Sequence, residues 1–92
     1  MTEATKATGE FTISNELGLH FRAAAMVVRT LGEFTAEVSI SNGDTVADAR
    51  SVLDLMTLAA SHGTLVRIKA NGQDAKAAVD ALGALIRRNF AE

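Results

Sequence analysis

Residues 34–47 read FTAEVSISNGDTVA, and the middle of this stretch decides the fold. Phe34, Ala36, Val38 and Ile40 alternate with polar side chains, the period-two pattern of a strand with one buried face. Asn42-Gly43 follows, a pair that accepts the positive φ angles of a tight turn, and residues 45–47 resume an extended pattern. The segment therefore predicts an antiparallel hairpin.

Reading outward from the hairpin extends the pattern in both directions. Upstream, Ala23, Ala24, Met26, Val27, Val28 and Leu31 recur at helical spacing before Gly32, which predicts a helix over about 20–31. Before it, Phe11 and Ile13 alternate with Glu10, Thr12 and Ser14 and mark a first strand. Downstream, Val52, Leu53, Leu55, Met56, Leu58, Ala59 and Ala60 precede Gly63, so a second helix is expected over 51–62 with an unusually wide apolar arc. Leu65, Val66 and Ile68 mark a fourth strand that ends at Asn71-Gly72. Asp74 then stands where it can cap a last helix carrying Val79, Leu82, Leu85 and Ile86. The order is β-α-β-β-α-β-α.

Short strands with polar alternation argue for an antiparallel sheet with one face in water, and amphipathic helices must then cover the other. The predicted class is α+β, a two-layer open-faced β-sandwich with a four-stranded antiparallel sheet and three helices on one face. No proline, Ser/Gly-rich linker or low-complexity tract divides the chain. Residues 1–9 are expected to form a flexible N-terminal tail and 10–92 a single domain. The two β-α-β segments share a topology without a convincing sequence repeat.

Composition narrows the function. A chain of 92 residues builds one modest core, burying roughly 60–65 % of its unfolded surface. Without cysteine there is no disulfide framework or thiolate zinc site, and a reducing cytoplasm is the natural compartment. Nine Lys and Arg against eleven Asp and Glu give a net charge of −2, so no global positive field draws the chain to nucleic acid or anionic lipid. Four Phe with no Trp or Tyr offer few platforms for stacking bases. Residues 1–9 hold no apolar run and no cleavage pattern, so neither a signal peptide nor membrane insertion is expected. There is no Gly-rich nucleotide loop, metal-ligand cluster or nucleophile-base-orienter set, which argues against an autonomous enzyme and against a cofactor or metal.

The chemistry concentrates at Gly18-Leu19-His20-Phe21-Arg22. His20 falls at the start of a helix, where unpaired N–H groups and the positive end of the dipole favour an anion. The same field disfavours an imidazolium and leaves a neutral ring with a nucleophilic nitrogen. Arg22, in the first turn, can direct a forked cation at the oxygens of a transferring phosphoryl group. Gly18 lets the backbone pass close by. A histidine opening a helix also serves as an ordinary cap or surface residue, and spacing alone leaves both readings open.

The residues themselves carry a resemblance. GLHFRAAAMVV resembles the active-site segment of the HPr phosphocarrier family of bacterial phosphotransferase systems. ARSVLDLMTLAASHGTLVRIKANGQDAKAAVDAL is similar to that family's regulatory-serine helix, fourth strand and last helix, in order. The resemblance spans about 10–90. It implies that His20 is phosphorylated through Nδ1, that Arg22 assists, and that the chain is a stoichiometric carrier. The implied partners are an Enzyme I-like donor and IIA-type acceptors. The implied fold is the open-faced sandwich already derived. Two departures stand out: Phe21 replaces a usual Thr or small residue, and Ala23 replaces a usual proline. An aromatic beside the nucleophile points to altered partner preference.

Ser51 stands at a helix N-cap with Asp54 three positions later, an approximate capping box. Its plain role is structural; by resemblance it is also the residue a dedicated serine kinase modifies. A regulatory interaction module controlled by Ser51 is therefore the alternative to the carrier. Val52, Leu53 and Met56 are expected on a docking patch with Phe21, because a single sheet leaves part of a wide apolar helix exposed. His62, ahead of Gly63, is expected to meet the carbonyl end of its helix. A monomer is the simplest form for a carrier that presents one face to successive partners.

Overall fold

The structure, a computed structural model, describes residues 5–91. Its elements follow the expected order: β1 Lys6–Thr12, α1 Phe21–Leu31, β2 Glu37–Asn42, β3 Thr45–Asp48, α2 Val52–Met56, β4 Leu65–Asn71 and α3 Ala75–Arg87. The four strands form one antiparallel sheet of order β1-β4-β2-β3. β4 is central, with Glu10 and Ser41 flanking Arg67 and Gly9 and Ile40 flanking Ile68. Strict alternation along β4 sends Val66, Ile68 and Ala70 inward and leaves Leu65, Arg67, Lys69 and Asn71 exposed. That alternation is why one face of the sheet is covered by helices and the other is wet.

α1 packs on α2 and α3, and α3 lies across β1 and β4. Ile13, Leu31, Leu55, Ile68, Leu82, Leu85 and Phe90 are all but sealed from solvent, each contributing about 1.5–3 kcal/mol of burial. Phe11 packs into the crevice between β1 and α3. A Cβ on Gly83 would stand 2.4 Å from its ring, so a glycine in the helix interior is what lets strand and helix close up. The Arg87 guanidinium covers the ring 5.4 Å from its centroid, a cation–π contact in the last turn of α3.

Two charged side chains tie elements together. The Arg50 guanidinium donates to the carbonyls of Leu31, Phe34 and Ala36 at 2.8–2.9 Å and so satisfies the C-terminal end of α1. Asp74 is the N-cap residue of α3, yet its side chain makes no capping bond there. Its carboxylate instead accepts the N–H groups of Thr35 and Ala36 at 2.8 and 2.9 Å, fastening the α1–β2 connection to the start of α3. The Thr35 N–H bond is the largest influence that holds this carboxyl below the usual carboxylate range.

Three expectations need correction. β1 begins at Lys6, so Lys6 to Gly9, assigned from sequence to the tail, are paired residues of the sheet, with Lys6 opposite Asn71 and Gly9 opposite Ile68. Ala7 and Gly9 face inward with side chains too small to register as hydrophobic alternation. The rest of the proposed tail, residues 1–4, lies outside the described residues. α2 ends at Met56 rather than near position 62, capped by Thr57, whose hydroxyl donates to Asp54 O at 2.6 Å. Ala59 then takes a positive φ of 50°, and Leu58 and Ala60 reach the core from a turn, which explains the overly wide apolar arc. His62 is consequently exposed in the α2–β4 connection and does not sit at a helix end.

Candidate functional site

The loop from β1 to α1 is held at several points before it reaches His20. Ile13 N–H donates to Thr64 O at 2.8 Å and Gly63 N–H donates back to Ile13 O at 2.7 Å. Asn15, buried, donates from Nδ2 to Gly18 O at 2.8 Å. Gly18 adopts φ +70°, and a Cβ there would lie 2.6 Å from Ala60 O and 2.8 Å from Ser61 Cα. Only glycine combines that conformation with that approach. The next residue completes the seam, with Leu19 N–H donating to Ala60 O at 2.8 Å. His20 is thereby delivered to the end of α1 by a braced loop.

His20 is the N-cap of α1, extended at φ −84° and ψ −177°, and half-buried. Its Nδ1 accepts the N–H of Arg22 at 3.2 Å. An acceptor Nδ1 in a neutral imidazole carries its lone pair there, with the ring proton on Nε2. The helical ladder opens with Ala24 N–H donating to His20 O at 2.8 Å, so the N–H groups of Phe21, Arg22 and Ala23 precede it. No acidic residue occupies the first turn of α1. An anion bonded to Nδ1 stands beside three backbone donors and the positive end of the dipole, with no competing carboxylate in that turn. Arg22 is exposed, and among the described residues no side chain engages its guanidinium. Ala23 is fully buried, so the position where proline is usual in the resembling family serves here as close-packed core.

Apolar surface gathers on the same two helices and their approach. Phe21 is 65 % exposed on the first residue of α1, and Leu53 is 79 % exposed on α2, which packs against α1. Met56 is exposed as well, whereas Val52 is half-buried against the core and contributes less to any patch. Leu17, 70 % exposed on the loop before His20, is a further exposed apolar side chain that was missed from sequence. An isolated leucine between Glu16 and Gly18 has no periodicity to mark it. Asn15 was missed too, although its spacing ahead of a glycine is the pattern of a side chain that ties off a turn.

Ser51 caps α2 as expected: φ is −120°, ψ is 114°, and Oγ accepts Asp54 N–H at 3.1 Å. The reciprocal half of the box is absent, because the Asp54 carboxylate accepts from Asp48 N–H at 2.8 Å and Ser51 N–H donates to Asp48 O. His62 lines an open cleft with Ser14 and Glu16. Among the described residues no group of His, Cys, Asp and Glu is arranged to hold a metal ion, and no helix is long and apolar enough to cross a membrane.

A family profile described as the PTS HPr component phosphorylation site matches residues 7–88. The chain is 39 % identical over 83 residues to the phosphocarrier protein HPr of Xylella fastidiosa, covering 90 % of this chain and 93 % of that one. It is 43 % identical over 88 residues to the phosphocarrier protein NPr of Shewanella violacea, covering 96 % and 97 %. The crystal structure of HPr from Thermoanaerobacter tengcongensis superposes with a TM-score of 0.89 at 32 % identity, over 94 % of this chain and 97 % of that one.

Proposed function

The chain belongs to the HPr family of phosphocarrier proteins of the phosphotransferase system, and from that premise we propose that it carries a phosphoryl group on His20 Nδ1 between an Enzyme I-like donor and IIA-type acceptors. The observation that carries this reading is the orientation of Nδ1, aimed into the first turn of α1 at 3.2 Å from Arg22 N. The Nδ1 lone pair, freed from the Arg22 N–H by a turn of the ring, attacks the donor's phosphorus; a P–N bond forms as the bond to the donor breaks, and the Arg22 N–H is left to meet a phosphoryl oxygen. No general base is needed, because the attacking nitrogen carries no proton. Charge spread over the phosphoryl oxygens is met by the N–H groups of the first turn and by the Arg22 guanidinium, and both interactions are stronger with the transferring group than with the empty ring. Transfer to the acceptor reverses the same steps, so the chain is a stoichiometric carrier rather than an enzyme.

Phe21, Leu53 and Met56, with Val52 beneath them, form the surface on which donor and acceptor dock. Phe21 selects among them, because it is a large exposed ring next to the nucleophile. Ser51 is the site at which a serine kinase regulates docking: a phosphate on Oγ replaces the cap on Asp54 N–H with a dianion at the same helix end. The carrier works as a cytoplasmic monomer. The test is a reconstituted relay of phosphoenolpyruvate, magnesium, Enzyme I, this chain and a IIA domain. Phosphate is expected on the IIA domain with wild type and not with His20→Ala. Equal transfer through His20→Ala would sink the proposal, as would failure of the wild type with an Enzyme I shown to be active on another carrier.

A further inference from the structure

The sheet face opposite the helices holds a concavity of about 740 Å³ for which phosphoryl transfer has no use. Register lays its floor out in two rungs. On the first, Asn71 of β4 stands between Lys6 of β1 and Glu37 of β2. On the second, Thr8, Lys69, Ser39 and Asp48 follow one another across all four strands. Each rung thus places a lysine two strands away from a carboxylate, about 9.6 Å at the backbone, with an amide or hydroxyl between. Among the described residues these lysines and carboxylates form no ion pairs, although on the next rung Arg67 and Glu10 close to 2.6 Å. The concavity therefore keeps two lysines along β1 and β4, carboxylates along β2 and β3 and neutral hydrogen-bonding groups between them; Arg50 also lines it beside Asp48, with its guanidinium occupied by the carbonyls of Leu31, Phe34 and Ala36.

We propose that this concavity binds a small phosphorylated polyol. Lys6 and Lys69 are diagonal neighbours on adjacent strands, and two long ammonium arms from such positions converge on one dianion. Glu37 and Asp48 accept hydrogen bonds from hydroxyl groups at the ligand's other end, and Asp48 is held for this by Arg50 N–H, which donates to its Oδ1 at 2.9 Å. Asn71, Ser39 and Thr8 supply the intermediate contacts. Inorganic phosphate uses only the lysine side, an acidic peptide meets the two carboxylates unfavourably, and the lining has no aromatic ring on which a nucleotide base could stack. The volume falls within the usual range for small-molecule sites. The site lies on the face away from His20, so it stands or falls independently of the carrier chemistry.

The test is an amide NMR titration of the full chain with glucose 6-phosphate, run beside inorganic phosphate and glucose separately. Saturable shifts on the two rungs are expected, with a Kd of about 1–10 mM, from glucose 6-phosphate alone. The double variant Lys6→Gln, Lys69→Gln, whose own spectrum reports that it is folded, is expected to bind at least about tenfold more weakly. It should accept phosphate on His20 from Enzyme I as the wild type does. Three results overturn the proposal: no saturable shifts on the rungs, equal shifts from inorganic phosphate, or unchanged affinity in the double variant.

Discussion

Replacing Gly18 by alanine tests whether the braced loop is what presents His20. Two costs can be separated. Alanine at φ +70° occupies the left-handed region at roughly 1–2 kcal/mol. Its Cβ would also stand 2.6 Å from Ala60 O and 2.8 Å from Ser61 Cα. Both are backbone atoms that cannot swing aside, so the α2–β4 connection must shift, at about 1–3 kcal/mol. The sum of about 2–5 kcal/mol is a large share of the roughly 5–15 kcal/mol that holds a small domain folded, and it corresponds to a fall in Tm of about 10–30 °C. Gly43→Ala is the internal control, because φ there is +60° but nothing lies within 4 Å of the added carbon. It carries only the backbone cost. Urea unfolding followed by far-ultraviolet circular dichroism is the assay, since the chain has no Trp or Tyr. A Gly18→Ala variant no less stable than Gly43→Ala would refute the claim that close approach to Ala60 pins the loop.

Other changes isolate single contacts. Arg22→Ala removes a charge-assisted bond of about 1.5–3 kcal/mol to the transferring phosphoryl group, so the rate of phosphate acceptance should fall about 10–100-fold in a quench assay with Tm nearly unchanged. Ser51→Ala should cost about 1 kcal/mol in urea unfolding through loss of the α2 cap, whether or not a kinase acts there. Asp74→Asn weakens the clamp on Thr35 and Ala36, and its effect should depend on pH. The folded carboxyl lies below its unfolded value. Its stabilisation is therefore complete above about pH 4 and disappears as pH falls through the folded value. Melting curves should accordingly separate wild type from Asp74→Asn at neutral pH and converge in acid; a separation that persists at the lowest pH would count against the clamp.

Local pattern exposed much of this fold. The α1 boundary at His20 and Gly32, the hairpin and the alternation of Val66 and Ile68 each rest on neighbours in the chain, which a sequence displays directly, although the turn falls one residue later than Asn42-Gly43, with Asn42 paired to Thr45 and Gly43-Asp44 as the loop. The strand order was not legible, because β1 beside β4 joins residues such as Lys6 and Asn71 that only tertiary packing brings together. Small side chains hid the first half of β1. The end of α2 was hidden for a different reason: Leu58 and Ala60 are core residues that reach inward from a turn, and periodicity counts them as helix. Asp74 looks like a cap in sequence, but its carboxylate bonds distant backbone, as does the Arg50 guanidinium, which no local pattern marks. Phe90 is buried in a left-handed turn after α3, with φ at 56°, and its neighbour Asn89 accepts a bond from Ser14. No short-range signal marks that turn. The helix-start positions of His20, Arg22 and Ser51 were legible because capping chemistry is local, whereas Leu17 and Asn15 emerged only with the loop's geometry.

The central claim is that His20 takes the phosphoryl group, and the most direct measurement is intact mass after incubation with phosphoenolpyruvate, magnesium and Enzyme I. Wild type should gain one phosphoryl group that is lost in acid, and His20→Ala should gain none. An acid-stable adduct, or an adduct of equal extent on His20→Ala, would contradict the account.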